Sequence, residues 1–576
     1  MELFLIDAIG PFFRDYQKKT INWSKIPFEH VETVDPVIRA EQFGRIREDM
    51  RTLAKAVAAD GYNAATLDDL AHLATSQIYE PIVQERILAL REEFRPLMRI
   101  LTDAGLTPYI TADILSYTPA LREAIGTEPE AIADFLADLV DRFLGDFPEV
   151  GGIIFRIGES DGRDVEQRFT SELVLRKPQE VNLVLRRLLP VFEKHEKKLI
   201  LRTWTVGAYH IGDLIWHRGT LARTVKGIDS KSFVLSMKYG ESDFFRHLAL
   251  NRAFFQGPQQ KIIELQSRRE YEGCGEFPSF IGSDYNQFAT ELHQAQNVIG
   301  LSTWSQTGGW VWFRRLAYLQ PEGIWTEINA AVSVLLFRDS ASIEQAVREV
   351  AKRREIEDWA SLLELLRLSE EVVKELIYVR HFAVQTLFFR RVRIPPLVAV
   401  YWDSIFINHS VRKLLRHFVP GIEGERAVRE GRAALEKIDQ MVPLAEKCGL
   451  PVEDIKFLRA TGELLAAARE YYFLPYSPDV AERIESAKVA YEEAYPIGTR
   501  PRYRIQTNFD RFRLKRWHLR WSMALATRKN RSYRILDHLV TLHLLGFVYR
   551  LIQRRRPKWV PDFAKESAMG IDTIFR

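Results

Sequence analysis

Short apolar runs alternate along the first 340 residues with longer stretches in which apolar side chains recur every three or four positions. The short runs have the length and the β-branched residues of strands, and the longer stretches have the period of amphipathic helices. We count eight short runs, at 3–8, 62–67, 107–112, 152–157, 198–203, 232–237, 261–266 and 297–303. Clear helical patterns lie at 82–104, 128–144 and 179–194. This order of strand and helix indicates βα units around a parallel sheet.

Eight such units in about 340 residues have the length and order of a (β/α)8 barrel. The alternative is a doubly wound open sheet, but such a sheet usually has fewer strands. The first predicted strand is also not followed by a Gly-x-Gly-x-x-Gly turn. We therefore predict an α/β protein whose residues 1–340 form a (β/α)8 TIM barrel that is the catalytic domain.

The pattern changes near residue 341 to almost continuous helix. Predicted helices lie at 343–354, 359–367, 370–389, 425–447, 452–472 and 480–494, separated by turn residues and prolines. No repeat of fixed period occurs. We predict a second, all-helical domain at 341–576.

The end of the chain is basic and aromatic. Residues 511–558 contain 14 Lys or Arg and a single acid, Asp537, with tryptophans and tyrosines between them. We expect Trp517, Trp521, Tyr533 and Tyr549 to pack on the helical domain with the arginines outward. An inter-domain face, a surface for anionic polysaccharide or lipid, and a nucleic-acid site remain the alternatives. Because no nucleic-acid-binding motif accompanies the charge, we predict no specific nucleic acid partner. The helical domain is the candidate surface for a homo-oligomer.

The composition is that of a globular protein with more than one core. The chain has 576 residues, 46% hydrophobic and 27% charged, with a formal net charge of +4. Its two cysteines, Cys274 and Cys448, cannot form a disulfide framework, which favours a cytoplasmic location. The apolar stretch at 535–552 is interrupted by charged and histidine residues, so we expect an amphipathic helix and no transmembrane span. The first residues are interpreted as a strand.

Polar residues close most of the predicted strands. The active site of a (β/α)8 barrel lies at the C-terminal ends of its strands, so these residues are the candidates for chemistry. Those from the first six strands and their loops are Asp7, Thr111, Asp113, Arg156, Glu159, Arg202, Trp204, Lys238 and Asp243. The eighth strand and its loop supply Trp304, Gln306, Trp310 and Trp312.

Strand seven is the richest in polar side chains. It continues as Ile-Ile-Glu-Leu-Gln-Ser-Arg-Arg-Glu-Tyr over residues 262–271. Side chains alternate along a strand, so Glu264, Gln266, Arg268 and Glu270 are expected on one face. Charged groups inside a barrel are costly unless they are paired or used.

Tryptophans together with carboxylates and amides suit a carbohydrate, because indole faces stack on sugar rings and the polar groups bind hydroxyls. Arg156, Arg202 and Lys238 are candidates to hold the carboxylate of an acidic sugar. Glycoside hydrolysis generally needs one carboxylic acid and one carboxylate, and Glu159 and Glu270 are the predicted catalytic pair. In the alternative interpretation Glu159 caps a loop, while Glu264 or Glu270 pairs with Arg156, Arg268 or Arg269 in a buried ion network.

Several of these segments resemble the catalytic barrel of the α-glucuronidases that remove glucuronic acid from xylan side chains. The matching stretches lie at 61–67, 105–112, 151–156, 199–204, 236–244, 264–273 and 327–331. In that family strand seven reads Glu-Phe-Gln, then Gln-Glu-Tyr and Gly, and Glu264, Gln266, Glu270, Tyr271 and Gly273 fall on this motif. The segment at 327–331 adds Glu327 to the candidate substrate-binding residues.

The resemblance implies a glycoside hydrolase acting on a uronic-acid-type oligosaccharide without a cofactor. Two family positions depart from it, because the family's acid glutamate aligns with Leu248 and its base aspartate with Thr307. The alternative is therefore a non-catalytic barrel that binds glycans or acts as a scaffold. His210 and His217 lack a third ligand nearby, so we predict no metal. Cys274 lacks a histidine partner for nucleophilic catalysis.

Overall fold

A computed structural model describes most of the chain. The described residues are 1–14, 25–157, 168–171, 173–205, 214, 219–306, 315–385, 388–389, 392–393, 400–401, 404–510, 517, 520 and 521. Within this part the first half forms a closed barrel of eight parallel strands. The predicted (β/α)8 fold class is confirmed.

Each barrel strand follows one of the eight predicted runs to within a few residues. The strands are β1 Leu3–Asp7, β2 Ala64–Asp68, β3 Thr107–Asp113, β4 Gly152–Ile157, β5 Lys198–Thr205, β6 Phe233–Lys238, β7 Gln260–Gln266 and β8 Val298–Trp304. Each strand pairs with the next, and β8 pairs with β1 to close the ring.

The helices around the ring are α1 Pro36–Asp60, α2 Pro81–Asp103, α3 Pro129–Asp146, α4 Pro178–Lys194, α5 Thr220–Thr224, α6 Gly282–Leu292 and α7 Ile324–Arg338. The first four begin with proline, which has no N–H to leave unpaired in the first turn and a φ suited to a helix. Asp35 caps α1 by accepting from the N–H groups of Val37 and Ile38. Gly61 ends the same helix in the left-handed conformation, at φ 100°.

Two apolar layers surround the strands. One residue from each of β1 to β7 fills the inside of the barrel: Leu5, Ala64, Tyr109, Ile154, Ile200, Val234 and Ile262. The alternate side chains point outward and form the larger core with the helices. The inner layer lies toward the N-terminal ends of the strands. The inward side chains that follow it along each strand therefore lie at the C-terminal ends.

The described part of the second half contains six longer helices. They are α8 Ile343–Arg353, α9 Trp359–Leu376, α10 His409–Phe418, α11 Gly421–Lys447, α12 Val452–Phe473 and α13 Pro478–Ala494. Their buried faces belong to the same core as the outer side of the barrel. Phe277 of the barrel, for example, lies 5.3 Å from Phe457 of α12, centroid to centroid.

One helix boundary was wrongly predicted. The predicted helices 359–367 and 370–389 are a single helix that ends at Leu376, and Phe388–Phe389 is a short strand. The buried guanidinium of Arg469 donates to the carbonyl oxygens of Leu376 and Tyr378, at 2.9 and 2.7 Å. These carbonyls are therefore satisfied by a side chain where the helix stops.

A small sheet accompanies the helices of the second half. The strands β9 Ser404–Asn408 and β10 Arg504–Asn508 pair in parallel, with Val400–Tyr401 antiparallel on the other side of β9. Ile405 and Ile407 are fully buried. The prediction of uninterrupted helix passed over these strands because each is only two to five residues long.

The basic-aromatic region lies almost wholly outside the described residues, and so does the stretch 535–552. Trp517 and Trp521 are described and are 59% and 68% exposed, so the prediction that they pack on a core is wrong for these two. Their neighbours Arg516 and Arg520 are charged, which favours a solvated face over a buried one. Within the described part, no helix is both long and apolar enough to span a bilayer.

Candidate active site at the strand ends

Polar and charged side chains form the layer above the apolar inner layer. Side chains alternate along each barrel strand, so the residue two positions after the apolar inner residue also points into the barrel. The register places Asp113 beside Arg156, Lys238 beside Glu264, and Gln266 beside Trp304 on neighbouring strands. Acidic and basic side chains therefore lie side by side at the C-terminal ends of the strands, which we call the mouth of the barrel. Burial there favours ion pairs over unpaired charges.

The ends of β2, β3 and β4 carry a buried ion cluster. Lys25 Nζ lies 2.9 Å from Asp69 Oδ2 and 3.1 Å from Asp113 Oδ2, and Arg156 Nε lies 3.0 Å from Asp113 Oδ1. Asp68 accepts from the N–H of Ile26 at 2.9 Å. Burial raises the pKa of Asp68 to about 7, assisted by the charge of Asp69 and opposed by the cations. This side of the mouth therefore holds a carboxyl group that is largely protonated below neutral pH.

A second ion pair joins β5 and β7. The Arg202 guanidinium donates to both oxygens of Glu264, at 2.9 and 2.8 Å, and Ser236 Oγ donates to the same carboxylate at 2.6 Å. Burial opposes ionisation of Glu264, but Arg202 and Ser236 outweigh it and hold its pKa below the usual value. Arg202 also lies 4.5 Å from the centre of the Trp304 ring. Glu264 is thus a fixed anion that orients an arginine against an indole.

Glu270 lies in a different environment. Gln266 Nε2 donates to its carboxyl group at 2.8 Å, and the N–H of Glu270 donates back to Gln266 Oε1 at 3.3 Å. Burial, and to a lesser degree the negative charge of Asp243, raise the pKa of Glu270 to about 7. A carboxyl group with a pKa near neutrality can donate a proton at physiological pH.

Asp243 is the second acid in this part of the site. Lys238 Nζ donates to its Oδ1 at 2.6 Å, and the hydroxyl of Tyr271 donates to its Oδ2. The same ammonium group lies 3.3 Å from the centre of the Trp204 ring. The structure therefore brings together Glu270, a carboxyl group whose pKa is raised, and Asp243, a carboxyl group that accepts from an ammonium group and a phenol.

The other acid of this loop, Glu272, is structural. Arg246 donates to both of its oxygens at 2.9 Å, Arg269 donates to it as well, and so does the hydroxyl of Tyr378 at 3.1 Å. Burial opposes its ionisation, but the two arginines outweigh it and hold its pKa far below the usual value. Among the three acids of residues 264–273, Glu264 and Glu272 are bound by arginine, whereas the hydrogen-bond partner of Glu270 is an amide.

Most of the residues predicted for the site meet at the strand ends. Asp113, Arg156, Arg202, Lys238, Glu264, Gln266 and Trp304 lie in the inward layer, and Trp204, Asp243, Glu270 and Tyr271 contact it from the rim. Glu159 and Trp310 lie outside the described residues, as do Thr307, His210 and His217. The carboxylate of Asp7 accepts from the N–H groups of Ser305 and Gln306, at 2.6 and 2.8 Å.

Glu327 lies apart from the residues at the strand ends. Its carboxylate accepts from the N–H of Tyr318 at 2.7 Å and pairs with Arg354 at 3.3 Å. Arg354 in turn binds Asp60, at the last residue of α1. This cluster lies among the outer helices. Glu327 therefore joins helices to one another and does not face the mouth of the barrel.

The buried ion network of the alternative interpretation exists with different partners. Arg156 pairs with Asp113, Arg202 with Glu264, and Arg269 with Glu272. The three cations predicted to hold an anionic sugar therefore all have a carboxylate neighbour, since Lys238 binds Asp243. A substrate carboxylate would have to share one of these cations.

Lys25, Asp68 and Asp69 were missed by the sequence analysis. The second strand was predicted to end at Leu67, one residue before the two aspartates, and the acidic pair directly after a buried run was the pattern that could have identified them. Lys25 comes from a stretch without hydrophobic periodicity and reaches the cluster only through the fold.

Two polar side chains of the eighth strand and its loop are buried without a hydrogen-bond partner among the described residues. They are the indole N–H of Trp304 and both amide atoms of Gln306. Such groups cost about 1 to 3 kcal/mol each when left unpaired. No cluster of three or more metal-ligating side chains occurs within the described ranges.

The barrel is similar to known glycan-acting enzymes in fold. A GH138 enzyme that targets the pectin rhamnogalacturonan II matches with 12% identity and a TM-score of 0.50, over 86% of this chain and 59% of that chain. This chain thus spans less than two thirds of the length of that enzyme. A mutant O-GlcNAc hydrolase of Thermobaculum terrenum matches with 11% identity and a TM-score of 0.38, over 80% of this chain and 88% of that chain. No protein-family model and no curated protein matches the sequence.

Proposed function

We propose that this protein is a glycoside hydrolase whose general acid is Glu270. The observation that carries the proposal is the buried carboxyl of Glu270, four residues after the end of β7 and close enough to Asp243 to feel its charge, with a pKa raised to about 7. Glycosidic oxygen is a poor leaving group unless it is protonated, and a carboxylic acid poised near neutrality supplies that proton. Gln266 orients the carboxyl through the hydrogen bond at 2.8 Å.

Asp243 is the proposed second carboxylate. Lys238 and Tyr271 donate hydrogen bonds to it and fix its orientation. As an anion it acts either as the base that activates water or as the nucleophile that attacks the anomeric carbon. Glu159, two residues after the last residue of β4, is the alternative second carboxylate, and it stays the prediction that the sequence supports.

The proposed substrate is an acidic, uronic-acid-type oligosaccharide. The glycan part is supported by the similarity in fold to the rhamnogalacturonan II enzyme and by the tryptophans at the strand ends. The acidic part rests on the resemblance of the strand-seven motif to the xylan α-glucuronidases. A sugar carboxylate would share Lys238 with Asp243, because that ammonium group lies close enough to Glu270 to affect its pKa.

A second candidate function is a barrel that binds glycans without cleaving them. Leu248, at the position of the family's acid, is buried and packs against Gly240, so it supplies no proton. In this alternative the carboxyls at the strand ends bind hydroxyl groups and Glu270 has no catalytic role.

A panel of oligosaccharides with and without uronic acid residues decides between the two functions. We expect turnover by the wild-type chain, at least a hundredfold loss in Glu270→Gln, and a comparable loss in Asp243→Asn. Glu322→Gln, an exposed acid after β8, is the matched control and should keep full activity. Loss of activity in Glu159→Gln but not in Asp243→Asn would assign the second carboxylate to Glu159. Absence of turnover together with saturable glycan binding would favour the non-catalytic barrel.

We further propose that 1–340 and 341–576 are two domains and that the protein is cytoplasmic. The domain boundary is supported by the end of α7 at Arg338 and the start of α8 at Ile343. The location is supported by two cysteines that form no disulfide. Size-exclusion chromatography coupled to light scattering would test the predicted homo-oligomer.

A further inference from the structure

The loop that carries Glu270 is held from the second half of the chain. The hydroxyl of Tyr503 accepts from the N–H of Gly273 at 2.7 Å and donates to the carbonyl oxygen of Tyr271 at 3.0 Å. It therefore joins two backbone groups of one turn, within one to three residues of Glu270. Tyr503 is completely buried, so these bonds do not compete with water.

Tyr503 is itself fixed by the second half. Its N–H donates to the hydroxyl of Tyr491, in α13, at 3.0 Å. The next residue begins β10, which pairs with β9. The ring of Tyr503 packs edge-on against Phe277, with centroids 6.4 Å apart. The hydroxyl thus has a position set by the helix and the small sheet.

The turn that it holds would not keep its shape by local preference alone. Gly273, Cys274 and Gly275 all have positive φ, at 66°, 58° and 78°. The left-handed conformation is unfavourable for a residue with a side chain, as at Cys274, so the surroundings must maintain it. The same turn carries Tyr271, whose hydroxyl binds Asp243.

We infer that Tyr503 is a positioning residue that holds Glu270 and Tyr271 in place, so that the second half of the chain completes the barrel's active site. The inference rests on the proposed function. It goes beyond that function because it assigns a role in the reaction to the second half of the chain.

The test compares Tyr503→Phe with the wild type and with Tyr495→Phe. Tyr495 directly follows α13 and packs against Tyr491, and its hydroxyl makes no hydrogen bond among the described residues, so Tyr495→Phe removes a nearby hydroxyl without breaking a bond. We expect amide hydrogen exchange to accelerate about tenfold in the peptide covering 267–276 of Tyr503→Phe, with the barrel strands unchanged. Tyr491→Phe, which loosens Tyr503 indirectly, should give a smaller acceleration in the same peptide.

A second readout does not depend on turnover. Glu270→Gln is introduced into the wild type and into Tyr503→Phe, and the unfolding midpoints are measured between pH 4.5 and 8.5. If Tyr503 holds Glu270 in its buried place, the stabilisation by Glu270→Gln at high pH shrinks in the Tyr503→Phe background. An identical pH dependence in both backgrounds, or unchanged exchange at 267–276, overturns the inference.

Measurements of glycoside cleavage distinguish a failure of this inference from a failure of the proposed function. With an active wild type, Tyr503→Phe should lower kcat about tenfold with little change in KM and should move the alkaline limb of the pH profile. An unchanged kcat and limb overturn the inference while the proposed function stands. If the wild type cleaves no glycoside, the proposed function fails, and the exchange and unfolding measurements still decide whether Tyr503 positions the loop.

Discussion

Replacing Glu270 by glutamine should make the protein more stable at alkaline pH. The pKa of Glu270 is raised from its ordinary value of 4.5 to about 7, so the folded state binds a proton that the unfolded chain has already lost. The contribution of this group to stability is therefore fully present below pH 4.5 and is lost as the pH rises through 7. At about 1.4 kcal/mol per pH unit, the loss reaches about 3 kcal/mol above pH 8. Glutamine keeps the acceptor for Gln266 and avoids the loss.

Urea unfolding of both proteins at intervals from pH 4.5 to 8.5 measures this difference. We expect nearly equal free energies of unfolding at pH 4.5 and an advantage for Glu270→Gln that grows from about pH 5 to about pH 7 and then levels off. Glu272→Gln is the matched control with the opposite sign, because Arg246 and Arg269 stabilise the Glu272 carboxylate. It should destabilise the protein throughout this range. A pH-independent difference for Glu270→Gln would refute the reasoning, since it would mean that Glu270 ionises normally.

Three further predictions concern the same layer and its loops. Asp68→Asn should also stabilise the protein above pH 7 and leave it unchanged near pH 4, because burial raises the pKa of Asp68 to about 7; calorimetry against pH measures this. Arg202→Met should cost about 3 to 5 kcal/mol by leaving Glu264 buried and unpaired, and adding Glu264→Leu should recover most of the loss in urea unfolding. Gly273→Ala should be more destabilising than Gly449→Ala: both have φ near 65°, but a Cβ at Gly273 would meet a phenylalanine ring at 2.4 Å and a Cβ at Gly449 would meet nothing. Equal thermal midpoints for the two alanine variants would contradict this last expectation.

The barrel could be predicted because each of its strands and helices has a pattern of apolar side chains that is visible within a short stretch of sequence. Each strand alternates inward and outward side chains, and each run is bounded by turn residues or a helix, so the eight strands could be located before their pairing was known. The same alternation explains why Arg202, Lys238, Glu264 and Gln266 were expected at the mouth and lie there.

The parts that were missed depend on contacts between distant segments. Lys25 lies in a stretch without a periodic pattern and pairs with Asp69 and Asp113, which are more than 40 residues away in the sequence. Glu327 follows β8 closely in sequence, yet Arg354 and Tyr318 hold it among the outer helices. The bonds from Tyr503 to the turn after β7 span about 230 residues and leave no local pattern in the sequence.

The most direct test of the central claim is the dependence of cleavage on the leaving group. A general acid matters most when the leaving oxygen needs a proton, so Glu270→Gln should lose most of its activity on natural oligosaccharides. The same variant should keep nearly wild-type rates on aryl glycosides whose acidic phenol leaves without protonation. Asp243→Asn is the comparison, because loss of the second carboxylate should slow both kinds of substrate. If Glu270→Gln instead cleaved both kinds at the wild-type rate, or lost both equally, Glu270 would not be the general acid.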